Sequence, residues 1–338
     1  MATDDPKKLL SCFSVFTFCA MGLLKLSSLL IYQKRWRSLI NKASMVESYY
    51  LKKNESQNGK ESEEENSFMT DHIHLYTKHF HSVSTNLSRI YNFTAIIYMV
   101  SPFIEHAIQI CSGNNDHKYP HILQGWAPLD FNIFGYFFTI VTEAVAAIYC
   151  VIIHKTFDLT VIGLMIFIRG QFALLHNLST RIGGRGNNLL LSKRRDELAH
   201  GRIKECHKIH LALLRSIKDL GEFVQSILGI YFFVATLTLC SVAVQLQWKH
   251  LSTTQLISLL QYMCANLTQL FLFCYYGDAV CHKSSVSLGE GPFCTASWCL
   301  SAKIRRELVI LCVGMSQPRR IFAGPFNTLD LHSFIQVI

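Results

Sequence analysis

Residues 292–338 read PFCTASWCLSAKIRRELVILCVGMSQPRRIFAGPFNTLDLHSFIQVI and contain two apolar segments separated by a break. From Cys294 to Met315, apolar residues recur every three or four positions with charged residues between them. This spacing predicts an amphipathic helix with one solvated face. Pro318 and the pair Gly324-Pro325 then interrupt the chain. The new apolar segment at 329–338 has about half of the ~20 residues that a membrane-crossing helix needs.

The composition indicates a polytopic membrane protein. Half of the 338 residues are hydrophobic and 16% are charged, which is below the ~25% charged residues of soluble domains. The hydrophobic residues form long blocks, and the basic residues that give the net charge of +9 lie in short segments between them. Membrane proteins distribute basic residues in this way. We therefore expect an all-α membrane fold in contact with a lipid bilayer, and no nucleic-acid partner.

The sequence contains no pattern that indicates an enzyme, a cofactor or a metal site. Most of the 12 cysteines lie inside apolar blocks and none forms a Cys-x-x-Cys pair, so we expect them to pack as small apolar residues. Histidines are frequent at 71–89, but no acidic or cysteine ligand converges on them. We predict that this stretch is an ordinary cytoplasmic helix, preceded by a solvated loop at 52–66.

Five complete membrane spans are predicted within a single domain, 1–338. They cover residues 9–32, 92–111, 131–153, 220–247 and 254–281. The basic segments 34–42 and 181–208 should both be cytoplasmic, so an even number of spans must lie between them. The third span therefore continues as a cytoplasmic helix to residue 178, and the inner half of this long helix needs protein partners. The cytoplasmic helix at 294–315 and a truncated helix at 329–338 complete the prediction.

The two-part tail resembles the insect odorant receptor family. The residues that carry this resemblance are Trp298, Leu308, Gln317, Pro318, Ala323, Gly324, Leu329, Leu331, Phe334 and Ile335. The sequence GWAPLD at 125–130 resembles the segment before the family's fourth helix, and the span at 9–32 resembles its second helix. By this resemblance the chain lacks the first helix and the end of the last. We therefore expect it to assemble without carrying a normal ligand-gated current.

The resemblance implies a ligand-gated cation channel subunit in the plasma membrane. It would form a heterotetramer with the family's shared coreceptor and detect small volatile molecules. It also implies that Trp298 belongs to a cytoplasmic anchor bundle, and that Leu331, Phe334 and Ile335 belong to the anchor or the pore. Aromatic and flexible side chains near the outer interface are our predicted ligand-binding residues: Met99, Phe103, Tyr136, Phe137, Ile140 and Tyr262.

Three alternatives have a similar sequence pattern. A gustatory receptor would share the architecture, but its typical Thr-Tyr signature is absent from the tail. A G-protein-coupled receptor would need seven spans with cytoplasmic loops of opposite parity. A transporter or membrane enzyme would need polar groups that converge inside the membrane, whereas Lys25, Glu143 and Arg169 are scattered along the chain.

Overall fold

The backbone is almost entirely helical. The computed structural model describes residues 6–42, 60–111, 120–123, 132–184, 192–247, 252–295, 300–325 and 327–337. The helices are α1 (Pro6–Ile31), α2 (33–42), α3 (Lys60–Cys111), α4 (Ile133–Ser179), α5 (Lys193–Leu246), α6 (Thr253–Lys283), α7 (Val286–Phe293), α8 (Ala302–Met315) and α9 (Leu331–Val337). Two short strands, β1 (Phe322–Ala323) and β2 (Asn327–Thr328), pair antiparallel. The helical class is confirmed, and the small hairpin is an addition that the sequence did not predict.

Within the described residues, five helical stretches are long and apolar enough to cross a membrane. They are Cys12–Ile31, Thr70–Cys111, Ile133–Ser179, Lys193–Leu246 and Thr253–Phe293. Large apolar side chains are exposed on their surfaces, for example Phe134 and Phe233. Such side chains are stable when they face lipid. We call the end where α4 begins the outer end and the opposite end the inner end, following the predicted charge distribution.

Helix α4 is one continuous helix of 47 residues, about 70 Å long at ~1.5 Å per residue. This matches the single long helix predicted from charge parity. Its outer half is largely exposed, whereas Phe157, Val161, Met165 and Phe172 in its inner half are 0% exposed. The inner half contacts α5 and α7 within a bundle that also contains α8. The inner half of α4 is thus covered by protein, as its apolar composition requires.

Helix α3 is longer than predicted. We expected a solvated loop to residue 66, a separate helix at 71–89 and a span at 92–111, but one helix of 52 residues runs from Lys60 to Cys111. The Lys and Glu residues that made 60–66 look like a loop are also good helix formers. No Gly or Pro interrupts the chain before Pro102, which the helix contains. The predicted loop was therefore wrong at 60–66, while its first part, 52–59, lies outside the described residues. Residues 71–89 are helical as predicted but do not form a separate helix.

The predicted anchor helix at 294–315 is shorter in the structure. Helix α8 begins at Ala302, and the chain before it turns after the short helix α7. The turn is held by Thr295, whose buried hydroxyl accepts a hydrogen bond from the Gly183 backbone nitrogen at 2.7 Å. The predicted apolar stripe is nonetheless buried, at Ile304, Leu308, Leu311, Cys312 and Met315.

The end of the chain is held by two close backbone approaches at glycines. The hairpin packs on α5, where a Cβ at Gly229 would lie 2.6 Å from the Gly324 Cα. The residue after the hairpin packs on α6, where a Cβ at Gly277 would lie 2.5 Å from the Leu329 carbonyl oxygen. Helix α9, at the predicted pore helix, begins at Leu331 rather than 329. These contacts hold the hairpin against α5 and α9 against α6.

The orientation in the membrane can be tested with two cysteines. Cys111 ends α3 at the outer end and Cys294 follows α7 at the inner end, and both are exposed. Cys206, in the basic segment, is buried and cannot serve as a reporter. Because basic segments remain cytoplasmic, an impermeant maleimide should label Cys111 on intact cells and Cys294 only after permeabilisation. Variants C111S and C294S identify each signal, and the reverse pattern would show that the orientation is wrong.

Candidate functional site

A cavity of about 500 Å³ lies between the outer halves of five helices. Helices α1, α3, α4, α5 and α6 all contribute to its wall. Much of the lining is apolar, with side chains such as Val15, Met21, Ile90, Val151, Val234 and Leu259. The volume lies within the ~300–1,000 Å³ range of small-molecule sites in proteins. The cavity is therefore suited to a small, mainly apolar ligand.

The polar side chains of the lining concentrate where α3 faces α6. Three hydrogen bonds cross between these helices: Gln261 Nε2 to Thr94 Oγ1 at 3.1 Å, Ser258 Oγ to Ser101 Oγ at 2.8 Å, and Gln255 Nε2 to Glu105 Oε1 at 2.6 Å. All six residues line the cavity. The cavity therefore has one polar wall, which can accept or donate hydrogen bonds, and otherwise mainly apolar walls.

The inner end of the cavity is closed by a buried ion pair. Lys25 Nζ lies 2.7 Å from Asp158 Oδ1, and both side chains are 0% exposed. The Lys25 ammonium also lies 5.3 Å from the centre of the Tyr231 ring and 3.1 Å from His154 Nδ1. Because unpaired buried charges cost several kcal/mol each, this pair strongly constrains how α1 packs on α4.

Asp158 also accepts hydrogen bonds from two other helices. The hydroxyl of Tyr91 on α3 and Nε2 of Gln269 on α6, the latter at 2.6 Å, both donate to Asp158 Oδ2. Tyr91, Gln269, His154 and Tyr231 line the cavity. Together with Lys25 and Asp158 they form what we call the floor network. The floor network joins α1, α3, α4, α5 and α6 directly beneath the cavity.

The outer end of the cavity is lined by a short non-helical segment, residues 120–123, which we call the strap. His121, Ile122 and Leu123 line the cavity, and Ile122 is buried. The carboxylate of Glu143 on α4 accepts hydrogen bonds from the backbone nitrogens of Ile122 and Leu123 at 2.9 and 3.2 Å. The strap is thus attached to α4 through an acidic side chain in an apolar helix.

Of the six predicted ligand-binding residues, two line the cavity and four do not. Met99 and Tyr262 line the cavity. Phe103 and Phe137 are 37% and 68% exposed and are not among its lining residues, so apolar periodicity did not separate the two kinds of position. The physical reason is that both lipid-facing and cavity-facing positions of a membrane helix are apolar.

Tyr136 and Ile140 are not among the lining residues either. The Tyr136 hydroxyl donates to the Pro120 carbonyl at 2.9 Å, and its ring packs edge-on against His121. Tyr136 therefore contacts the strap rather than the cavity. Ile140 is half-buried on α4.

The predicted pore and anchor residues differ in their surroundings. Phe334 of α9 packs against Phe271 of α6, with 5.5 Å between ring centres. Leu331 is half-buried, and Ile335 is 71% exposed. Trp298 and the motif at 125–130 lie outside the described residues. The structure therefore places α9 against a helix that also lines the cavity.

The most connected residues of the site were not predicted from the sequence. Lys25 and Glu143 were judged to be scattered polar groups, but Lys25 pairs with Asp158 and Glu143 binds the strap. The available signal was the presence of opposite charges in otherwise apolar helices.

His79, in the histidine-rich stretch, lies 3.1 Å from the Tyr276 hydroxyl. Among the described residues, no three metal-ligating side chains converge on one point.

The fold is that of a polytopic helical membrane protein with a ligand-sized cavity in its outer half. The sequence profile of the family described as 7tm Odorant receptor matches residues 5–338. The chain therefore belongs to the odorant receptor family. This assignment decides against the gustatory, transporter and G-protein-coupled alternatives, and it places the chain in a family of receptors rather than enzymes.

Individual relatives agree with the family assignment. Odorant receptor 13a of Drosophila melanogaster is 25% identical over 257 residues, which cover 72% of this chain and 60% of that receptor. The odorant receptor coreceptor of Anopheles gambiae is 23% identical over 156 residues, covering 46% of this chain and 32% of the coreceptor. The chain thus aligns with between one third and 60% of the length of these relatives.

The fold is similar to that of a solved receptor. The insect olfactory receptor OR5 from Machilis hrabei matches with a TM-score of 0.78 and 17% identity, covering 99% of this chain and 79% of that one. Its structure in complex with eugenol matches with a TM-score of 0.77 and 16% identity. At this identity the similarity shows the shared fold alone.

Removing either partner of the buried ion pair should destabilise the protein. In K25M the Asp158 carboxylate loses its cation, and in D158N the Lys25 ammonium loses its anion. The free energy of unfolding of each variant should therefore fall by ~3–5 kcal/mol. The double variant K25M/D158N carries neither charge and should lose much less than the sum. The measurement is thermal unfolding in detergent, together with the amount of protein at the cell surface.

The control for this experiment is the exposed ion pair between Lys42 and Asp219, whose charged atoms lie 2.8 Å apart. Because solvent screens exposed charges, K42M should change stability by less than ~1 kcal/mol. Additive losses in K25M/D158N would show that Lys25 and Asp158 do not stabilise the fold as a pair.

Proposed function

We propose that the chain is the odorant-binding subunit of a ligand-gated cation channel, formed with the shared coreceptor in the plasma membrane. The observation that carries this proposal is the cavity of about 500 Å³ enclosed by five helices. Small volatile molecules are mainly apolar and carry few polar groups. They would gain from the apolar lining, and the polar wall between α3 and α6 would orient a hydroxyl or carbonyl group.

The helix packing suggests how a ligand would act on the pore. Gln269 and Tyr262 of α6 line the cavity, and Phe271 of the same helix packs on Phe334 of α9. Further along α6, the backbone at Gly277 is in close contact with Leu329. A ligand that fits one position of α6 better than another would therefore shift α9 as well. In this proposal the pore-lining residues Leu331, Phe334 and Ile335 are on α9, and Ile335 is the most exposed of the three.

The inner end has a surface suited to assembly with another subunit. Val309, Ile310 and Val313 lie on one face of α8 and are 57%, 72% and 59% exposed. An apolar face of this kind at the cytoplasmic end indicates a protein contact, because exposed apolar surface is costly in water. Similarity to the Anopheles gambiae coreceptor supports a related subunit as the partner. We infer that this face contributes to assembly with the coreceptor.

The experiment is to express the chain with the coreceptor and record currents evoked by a broad odorant panel. Eugenol belongs in this panel because it occupies the related OR5 structure. Currents that require both subunits would support the proposal and would show that the expected loss of a normal ligand-gated current is wrong. Robust odorant responses from the chain alone, or odorant-evoked second-messenger signalling in place of currents, would contradict it.

Changes to the cavity lining should alter which odorants act. M99A and Y262A each remove apolar contact area from the cavity wall, so the half-maximal concentration of the best odorant should rise about tenfold, equivalent to ~1.4 kcal/mol. F137A is the matched control, because Phe137 lies in the outer half of α4 but is 68% exposed and does not line the cavity. Unchanged tuning in both lining variants, or an equal change in F137A, would place the ligand elsewhere.

A further inference from the structure

The strap is the only non-helical part of the cavity lining among the described residues. Within the described residues, the strap does not pair with a β-strand. Among the described residues, side chains of α4 bind its backbone. The side chain of Ile122 is buried, with 4% of its surface exposed. The strap covers the cavity without the rigidity that a helix would provide.

Two residues of α4 bind the strap. Besides the two backbone nitrogens, the Glu143 carboxylate lies 3.3 Å from His121 Nδ1. The Tyr136 hydroxyl donates to the Pro120 carbonyl at 2.9 Å, so the attachment begins at the first residue of the strap. Tyr136 and Glu143 are seven residues apart, which places them on the same face of the helix.

These hydrogen bonds are strong enough to determine where the strap lies. Hydrogen bonds to a charged acceptor are roughly twice as strong as those between neutral groups. A carboxylate within an apolar helix is stable only when its oxygens are satisfied. The strap nitrogens and Glu143 thus satisfy one another, and loss of either partner leaves a polar group without its bond. An alternative position of the strap would give up all of these contacts at once.

We propose that Glu143 and Tyr136 are positioning residues that hold the strap across the outer end of the cavity and thereby set how fast ligands enter and leave it. This inference rests on the proposed function in taking the cavity as the ligand site. Weakening the attachment should speed entry and exit together, because the barrier is lowered in both directions. It should change the affinity for a small ligand much less than it changes the rates.

The test uses two cysteines of the cavity as reporters of access. Cys19 and Cys150 both line the cavity and are half-buried. A membrane-impermeant methanethiosulfonate is applied to intact cells that express the full chain with the coreceptor, and modification of each cysteine is followed by mass spectrometry. The variants are E143Q and Y136F, and Y136F retains the aromatic ring against His121. The control is Y149F, because Tyr149 lies on α4 but is 58% exposed.

Modification should be about five- to tenfold faster in E143Q and severalfold faster in Y136F, as expected for the loss of hydrogen bonds of ~1 kcal/mol or more. Y149F should match the unmodified chain. Equal rates in all four proteins, or faster modification in Y149F as well, would overturn the proposal. Because Y136F is conservative, it remains informative if E143Q reaches the surface poorly.

The labelling needs no odorant and no current, so it separates this inference from the proposed function. Absence of odorant-evoked current from the unmodified assembly would count against the proposed function while the labelling rates still decide the role of the strap. Where currents are present, E143Q and Y136F should shorten both their onset and their decay, with little change in the half-maximal concentration. Slower decay with unchanged onset would contradict a role in access.

Discussion

The carboxylate of Asp158 is the group on which the rest of the membrane region depends. It lies 0% exposed in an apolar helix and is stable there only because Lys25 neutralises it and Tyr91 and Gln269 donate hydrogen bonds to it. These partners come from α1, α3 and α6, and the ring of Tyr231 on α5 covers the Lys25 ammonium. Non-directional packing of apolar helices in lipid would allow many arrangements, whereas this carboxylate selects one.

The ion pair and hydrogen bonds of Asp158 lie between an inner and an outer half of the molecule. On the inner side, the buried face of α4 around Phe157 and Met165 joins the bundle that contains α5, α7 and α8. On the outer side, the same helices enclose the cavity, with the strap over its end. Helix α6 passes through both regions and contacts α9 through Phe271. A ligand in the cavity would therefore lie next to the helix that packs on the proposed pore segment.

The sequence predicted the helices better than it predicted the site. Charge parity and the absence of a turn indicated the single helix α4, and periodicity identified the buried stripe of α8 at Leu308 and Leu311. Periodicity could not separate Met99, which lines the cavity, from Phe137, which faces outward, because lipid and cavity both accept apolar side chains. The pairing of Lys25 with Asp158 joins residues far apart in the chain, so no local pattern contains it. The hairpin was missed because its strands have two residues each, too few for alternation.

The most direct test of the account is to locate a bound odorant. An odorant analogue carrying an aliphatic diazirine would be photolysed in the purified assembly with the coreceptor, and adducts that an excess of the parent odorant suppresses would be mapped by mass spectrometry. The account predicts such adducts on cavity-lining residues, including Met99 and Tyr262. Suppressible adducts confined to the second, 310 Å³ cavity between α5 and the hairpin, near Phe233 and Pro325, would contradict it.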